Sequence, residues 1–162
     1  MSENVEELFK KLEIKYKIIS HEKIYTSQDG KDIDFKGAIC CKNLFVKEQS
    51  GKNKGKLYLI SLRIDKKANL KEISSKLGIS RLTFGSDDEM YENLGVRSGS
   101  ASVLNVIKKS NPSVTYIIDN ELLNYQRVAF HPNDNSMSIL FDPKYIETIL
   151  DKCNVKYIYL DF

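Results

Sequence analysis

Three places in the chain combine residue types that could handle a small polar substrate. The first is Leu94-Gly95-Val96-Arg97-Ser98-Gly99-Ser100-Ala101-Ser102. Its two glycines permit positive φ and let a ligand come close to the backbone, and its serine hydroxyls and bare amides can meet a small polar group. The same stretch also reads as a helix C-cap at Gly95 followed by a surface turn. The second place is Lys42, inside the strand-like run Lys36 to Lys47. A lysine there either reaches back to water from a solvated strand face or meets an anionic or carbonyl group. The third is His131, which closes a strand-like run and is followed by Pro132, Asn133, Asp134 and Asn135. It is either a structural strand-end histidine or a group that donates and accepts near neutral pH.

Other chemistries find little support. There are only two histidines, His21 and His131, and neither belongs to a spaced metal-ligand set. Cys40 and Cys41 are adjacent, so on a strand they point to opposite faces and do not readily share one ion. We read them, and Cys153, as packing residues. No nucleophile-elbow motif surrounds any serine, and neither a Walker sequence nor a dinucleotide fingerprint is present. Any hydrolysis must therefore use few protein groups. Three cysteines without a secretion signal point to reduced thiols and a cytoplasmic setting. No apolar run approaches the ~20 residues of a membrane span. A net charge of +3 permits contact with a polyanion without demanding it.

The 162 residues are read as one domain, 1–162. Val5, Leu8, Phe9 and Leu12 fall at helical spacing within Glu3 to Leu12. Tyr16 to Ile19 reads as a strand, and Thr26 or Ser27 as the cap of a short helix towards Ile33. Lys36 to Lys47 and Leu57 to Leu62 form a hairpin around the lysine- and glycine-rich turn Gln49 to Lys56. Asn69-Leu70-Lys71-Glu72 opens a helix closed by Gly78, and Ser86-Asp87-Asp88-Glu89 opens one closed by Gly95. Strands follow at Val114 to Asp119, Gln126 to His131, Ser136 to Phe141 and Val155 to Leu160. Between the last two, Asp142 reads as an N-cap and Pro143 as the first helical residue, with Ile146, Ile149 and Leu150 facing inward. Interleaved helices and strands without a regular βαβ repeat give an α/β, mixed α+β, class around one central sheet.

Four blocks in this order resemble one family. They are His21-Glu22-Lys23-Ile24-Tyr25-Thr26; Cys41-Lys42-Asn43-Leu44-Phe45-Val46 with Leu57-Tyr58-Leu59-Ile60; Arg81-Leu82-Thr83-Phe84 leading to Leu94 through Ser100; and Val128-Ala129-Phe130-His131-Pro132 with Asn135. The resemblance is to the YbaK and prolyl-tRNA-synthetase-associated editing domains, with Lys-Asn-Leu-Phe favouring the ProX branch. It implies a mixed, partly barrel-like sheet flanked by helices. The implied activity is hydrolysis in trans of misacylated tRNA, typically alanine on proline tRNA, with transient association with prolyl-tRNA synthetase and no metal or cofactor. Lys42 would grip the phosphate or ribose of the terminal adenosine. Asn43, Gly99, Ser100, Ala101, His131, Thr26 and His21 would bind the aminoacyl end. Lys52, Lys54, Lys56, Lys66, Lys67, Lys108 and Lys109 are candidates for phosphate contact. One departure stands out: Val103 occupies the place of the family's loop proline, and Leu104-Asn105-Val106-Ile107 drifts as well. Two alternatives remain open: a deacylase for misacylated serine, cysteine or threonine, and a non-catalytic binder of an amino acid or an aminoacyl-tRNA.

Overall fold

The computed structural model describes residues 2–24 and 33–162. The elements run α1 (Ser2–Lys11), β1 (Tyr16–Ser20), β2 (Ile39–Glu48), β3 (Leu57–Arg63), α2 (Leu70–Leu77), β4 (Leu82–Phe84), α3 (Asp87–Leu94), α4 (Asn105–Lys108) and β5 (Val114–Asp119). A short 3-10 helix (Asn120–Asn124) leads into β6 (Val128–Phe130), β7 (Met137–Phe141), α5 (Tyr145–Lys152) and β8 (Lys156–Leu160). Thr26 and the helix expected after it lie outside the described residues.

One sheet organises these elements, in the order β1-β7-β6-β2-β3-β5-β8, with β4 added to β2. It is mixed: β2 pairs antiparallel with β3 and β4 but parallel with β6, and β3, β5 and β8 run parallel. The expected hairpin is the β2–β3 pair, joined through the Gln49–Lys56 turn. Successive residues of β3 go to opposite faces. Leu57 and Leu59 enter the cluster that α1, α4 and α5 cover with Val5, Phe9, Val106, Ile146, Ile149 and Leu150. Tyr58, Ile60 and Leu62 enter a second cluster under Ile73 of α2. Phe9 fixes α1 by edge-to-face packing on Tyr16 and Phe141, at 5.6 and 5.1 Å between ring centroids.

The capping signals are realised with differences. Ser86 and Glu89 form a reciprocal capping box, and Gly78 and Gly95 close their helices in the left-handed region at φ 66° and 76°. Asn69 accepts from the Glu72 N–H. The last helix starts at Tyr145, not at Pro143. Asp142 instead folds a tight turn ahead of it, its carboxylate accepting from the Lys144 N–H at 3.0 Å and its carbonyl from the Tyr145 N–H at 3.1 Å. The strand expected over Gln126 to His131 shortens to Val128–Phe130, which leaves His131 just beyond its end.

Gly85 follows β4 and donates its N–H to the Phe45 carbonyl at 2.9 Å. A Cβ there would lie 2.6 Å from Phe45 Cε2 and closer still to Cδ2, and Phe45 is a buried core ring. Gly85→Ala should therefore destabilise the fold by about 1–3 kcal/mol, read as a lower denaturant midpoint at an unchanged m-value. An unchanged midpoint would mean that the Phe45 ring moves aside freely.

Candidate functional site

The site begins with a gap in the pairing of β2. One edge of this strand is paired with β3 along Cys41 to Lys47. The other edge pairs with β6 only at Ile39 and Cys40, and with β4 only from Val46 to Glu48. The Ile64 N–H donates to the Cys40 carbonyl, so the backbone groups of Cys40, Lys42 and Leu44 face β3. The Asn43 groups and the Cys41 carbonyl turn the other way, into the gap, while the Cys41 N–H is taken up by the parallel pairing of Cys40 with Ala129. A cavity of about 260 Å³ opens there, lined by Cys41, Lys42, Asn43 and Leu44, by Ile24, Ile64 and Met90, and by Ser98, Gly99, Ala101 and His131.

The glycine loop closes this cavity. Arg97 to Ser100 form a turn in which the Ser100 N–H donates to the Arg97 carbonyl at 3.1 Å. Gly99 sits at φ 91°, the positive value that the third position of a type II turn requires. Asp87 anchors the turn: one carboxylate oxygen accepts from the Ser98 N–H and hydroxyl at 2.8 and 2.7 Å, and the other from Arg97 at 2.9 Å. Gly95 caps α3, and the turn that follows forms a cavity wall.

Three ionisable groups set the chemistry. The His131 Nδ1 lies 2.9 Å from the Met137 carbonyl, an acceptor only, so Nδ1 carries the proton. Burial pushes the His131 pKa below its ordinary value, with a further push from His21. The ring is then neutral at pH 7, with an unprotonated Nε2 that can accept a hydrogen bond. Burial also lowers the Lys42 pKa, partly offset by the field of Asp65. Among the described residues no hydrogen bond or ion pair holds the Lys42 ammonium. Burial raises the Cys41 thiol well above its ordinary value, so it stays protonated and is a poor nucleophile. The site therefore offers a cation, a neutral hydrogen-bond acceptor and backbone amides, but no thiolate nucleophile.

Residues 21–149 match the aminoacyl-tRNA editing domain family. The chain belongs to this family. It is 31% identical over 140 residues to the prolyl-tRNA editing protein ProX of Acetoanaerobium sticklandii, covering 86% of this chain and 84% of that one. It is also 31% identical over 146 residues to prolyl-tRNA synthetase associated domain-containing protein 1 of Xenopus laevis, covering 87% of this chain and 84% of that one. A solved structure described as that of a candidate trans-editing enzyme for prolyl tRNA synthetase shares the fold. Its TM-score is 0.70 at 15% identity, over 99% of this chain and 96% of that one.

In this editing domain Lys42, Asn43, Gly99, Ala101 and His131 meet at one cavity. Asn43 accepts from the Ser61 hydroxyl at 2.6 Å, which fixes its side chain. Ser100 does not line the cavity, and the turn takes its N–H. His21 stands behind His131 with ring centroids 5.9 Å apart. Both His21 nitrogens are engaged, Nδ1 with the Glu22 carbonyl at 2.7 Å and Nε2 with the Ser138 hydroxyl at 2.8 Å. It supports the site from outside the wall.

The surface lysines divide. Lys66 is paired with Asp119 and Glu121 at 2.8 and 2.9 Å. Lys108 donates to the Gly95 carbonyl at 2.7 Å, and Lys109 to the Glu92 carbonyl. These two cap the end of α3, where unpaired carbonyls draw cations. These three heads have partners within the fold. Lys56 leans on the Ser113 carbonyl at 3.4 Å. Lys52, Lys54 and Lys67 remain exposed. The hairpin tip that carries Lys52 and Lys54 lies about 20 Å along β2 from Asn43.

The sequence reading missed Asn105. This fully buried side chain accepts from the Ser102 N–H at 2.7 Å and donates to the Ser100 carbonyl at 3.2 Å and to Asn133 Oδ1 at 2.7 Å. It ties the glycine loop to the segment after His131. Val103, at the proline's place, is itself buried in the core. Truncating Asn105 to Ala would leave these buried groups unpaired, at a cost of roughly 2 kcal/mol or more. Asn105→Ala should also speed amide hydrogen exchange across Ser98–Ser102, whereas Val103→Ala should leave that exchange closer to the parent.

His131 also makes stability depend on pH. Its folded pKa lies below the ordinary 6.5, so the unfolded chain takes up a proton that the folded one refuses. Its contribution is complete above about pH 6.5 and is lost as pH falls towards the folded value. The thermal midpoint of the parent should therefore drop more steeply between pH 7 and 5 than that of His131→Asn. Parallel curves would remove His131 as the cause.

Proposed function

We propose that the chain is a trans-editing hydrolase that deacylates misacylated tRNA, with alanyl-tRNA(Pro) as its favoured substrate. The observation that carries this reading is the cavity itself. A lysine uncommitted among the described residues and a neutral histidine line a small, largely apolar space with no thiolate in it. An aminoacyl ester suits such a site because it is already activated and water can be the nucleophile.

In this reading Lys42 holds the phosphate or ribose of the terminal adenosine by charge. The backbone at Gly99 places the aminoacyl group and the attacking water. His131 Nε2 accepts a hydrogen bond from the α-ammonium, so its neutral state is the useful one. Water adds to the ester carbonyl carbon, and the bond from that carbon to the ribose oxygen breaks. The neighbouring ribose hydroxyl relays the proton to the departing oxygen. The products are the free amino acid and tRNA with its 3′ end intact. Ile24, Leu44, Ile64, Met90 and Ala101 crowd the space left for the side chain. A second site that admits only small residues supplies the discrimination that a proline pocket cannot exert against alanine. Proline is excluded by size. The Asn105 clamp provides the loop rigidity that a proline at position 103 would give, which favours an enzyme over a binder that has lost turnover.

The test is hydrolysis of alanyl-tRNA(Pro) by the purified protein, beside prolyl-tRNA(Pro) and seryl-, cysteinyl- and threonyl-tRNA. Alanine should be released with proline spared, and Lys42→Ala should lose roughly 10²-fold in kcat/KM. Release from another charged tRNA but not from alanyl-tRNA(Pro) would overturn the amino-acid assignment. Full activity in Lys42→Ala would overturn the role of the lysine.

A further inference from the structure

A second concavity, of about 720 Å³, lies away from the cavity. It is lined by Lys15, Lys17, Arg127 and Lys144, with Tyr16, Tyr145 and the carboxylates Glu13 and Asp142. Lys15, Lys17 and Lys144 are exposed. Arg127 spends an N–H on the Lys36 carbonyl at 2.7 Å. Asp142 faces Lys144 at 3.9 Å. Lys15 and Lys17 have no ion pair among the described residues, so the groove keeps an excess of positive charge that the fold does not consume.

Strand register relates this groove to the cavity. Lys17 pairs with Leu140, Leu140 with Ala129, and Ala129 with Cys40. Cross-strand partners share a face, and so do alternate residues of one strand. Lys17 therefore lies on the same face of the sheet as Lys42, while Lys15 and Asp142 adjoin the ends of β1 and β7 and Arg127 and His131 stand at the two ends of β6. Arg127 and His131 flank β6, about 13 Å apart at strand spacing. A stacked nucleotide strand advances ~3.4 Å per residue, so this separation matches on the order of four nucleotides. A tRNA has that length of single strand between its terminal ester and its acceptor stem.

We propose that the Lys15–Lys17–Arg127–Lys144 groove is the docking surface for acceptor-stem phosphates of an aminoacylated tRNA whose 3′ end occupies the cavity. The placement rests on the editing reading above. The binding surface itself is tested without any turnover. The groove is a charge contact, so it sets affinity and its salt dependence, not the chemical step.

The experiment compares the full chain with a Lys15→Glu/Lys17→Glu/Lys144→Glu variant and with a hairpin variant, Lys52→Glu/Lys54→Glu. Fluorescence anisotropy with uncharged tRNA(Pro) measures binding at several salt concentrations. Deacylation is measured with alanyl-tRNA(Pro) and with 3′-alanyl-adenosine, which has no stem. The groove variant should bind tRNA about tenfold or more weakly, with a salt slope reduced by roughly one per lost phosphate contact. Its KM for alanyl-tRNA(Pro) should rise while kcat holds, and cleavage of alanyl-adenosine should match the parent. Unchanged tRNA binding in the groove variant would overturn the proposal, as would an equal or larger loss in the hairpin variant. A parent that cleaves neither ester yet binds tRNA through the groove would sink the editing reading alone.

Discussion

The structure depends on the double pairing of β2. This ten-residue strand is held by β3 on one edge and divides its other edge between β6 and β4. Neither of those partners is longer than three residues, so they cannot meet along β2. Backbone donors and acceptors left between them need water or a ligand. The cavity is thus a consequence of unequal strand lengths in a mixed sheet. Its walls follow from the same fact: His131 comes where β6 stops, and Gly85 leads from β4 into α3 and the glycine loop.

Rigidity in that loop comes from a hydrogen-bonded side chain. Val103 joins the core, while Asn105 gathers Ser100, Ser102 and Asn133 into one buried network. Such a network is strong only when its members are paired, because each buried group left alone costs desolvation. Asn133 adopts φ 67°, a conformation asparagine tolerates better than most residues, and is the weak member of the network, because its buried Nδ2 has no partner among the described residues.

Charge is distributed by the same economy of partners. Lysines near helix ends and buried carboxylates are drawn into the fold, as Lys66, Lys108 and Lys109 are. Among the described residues, Lys17 on β1 and Lys52 and Lys54 at the hairpin tip find no such partner. A net charge of +3 cannot distinguish the two populations. The difference lies in which carbonyls and carboxylates the tertiary structure brings within reach.

By itself the sequence determined the local elements and the cavity's principal members. Capping signals at Ser86, Gly78 and Gly95, the largely apolar run of β3 and the placement of Lys42 in a strand are properties of neighbouring residues, and they survive folding. Lys42, Gly99 and His131 could be named from residue type and order. Tertiary structure decided what depends on distant partners. It moved the start of α5 from Pro143 to Tyr145, kept Ser100 and His21 out of the cavity wall, and spent Lys66, Lys108 and Lys109 on the fold. It also made Asn105 the hub of the loop through a bond to Asn133, 28 positions away. Local propensity acts over a few residues, whereas hydrogen-bond satisfaction and charge pairing are settled only when separated segments meet.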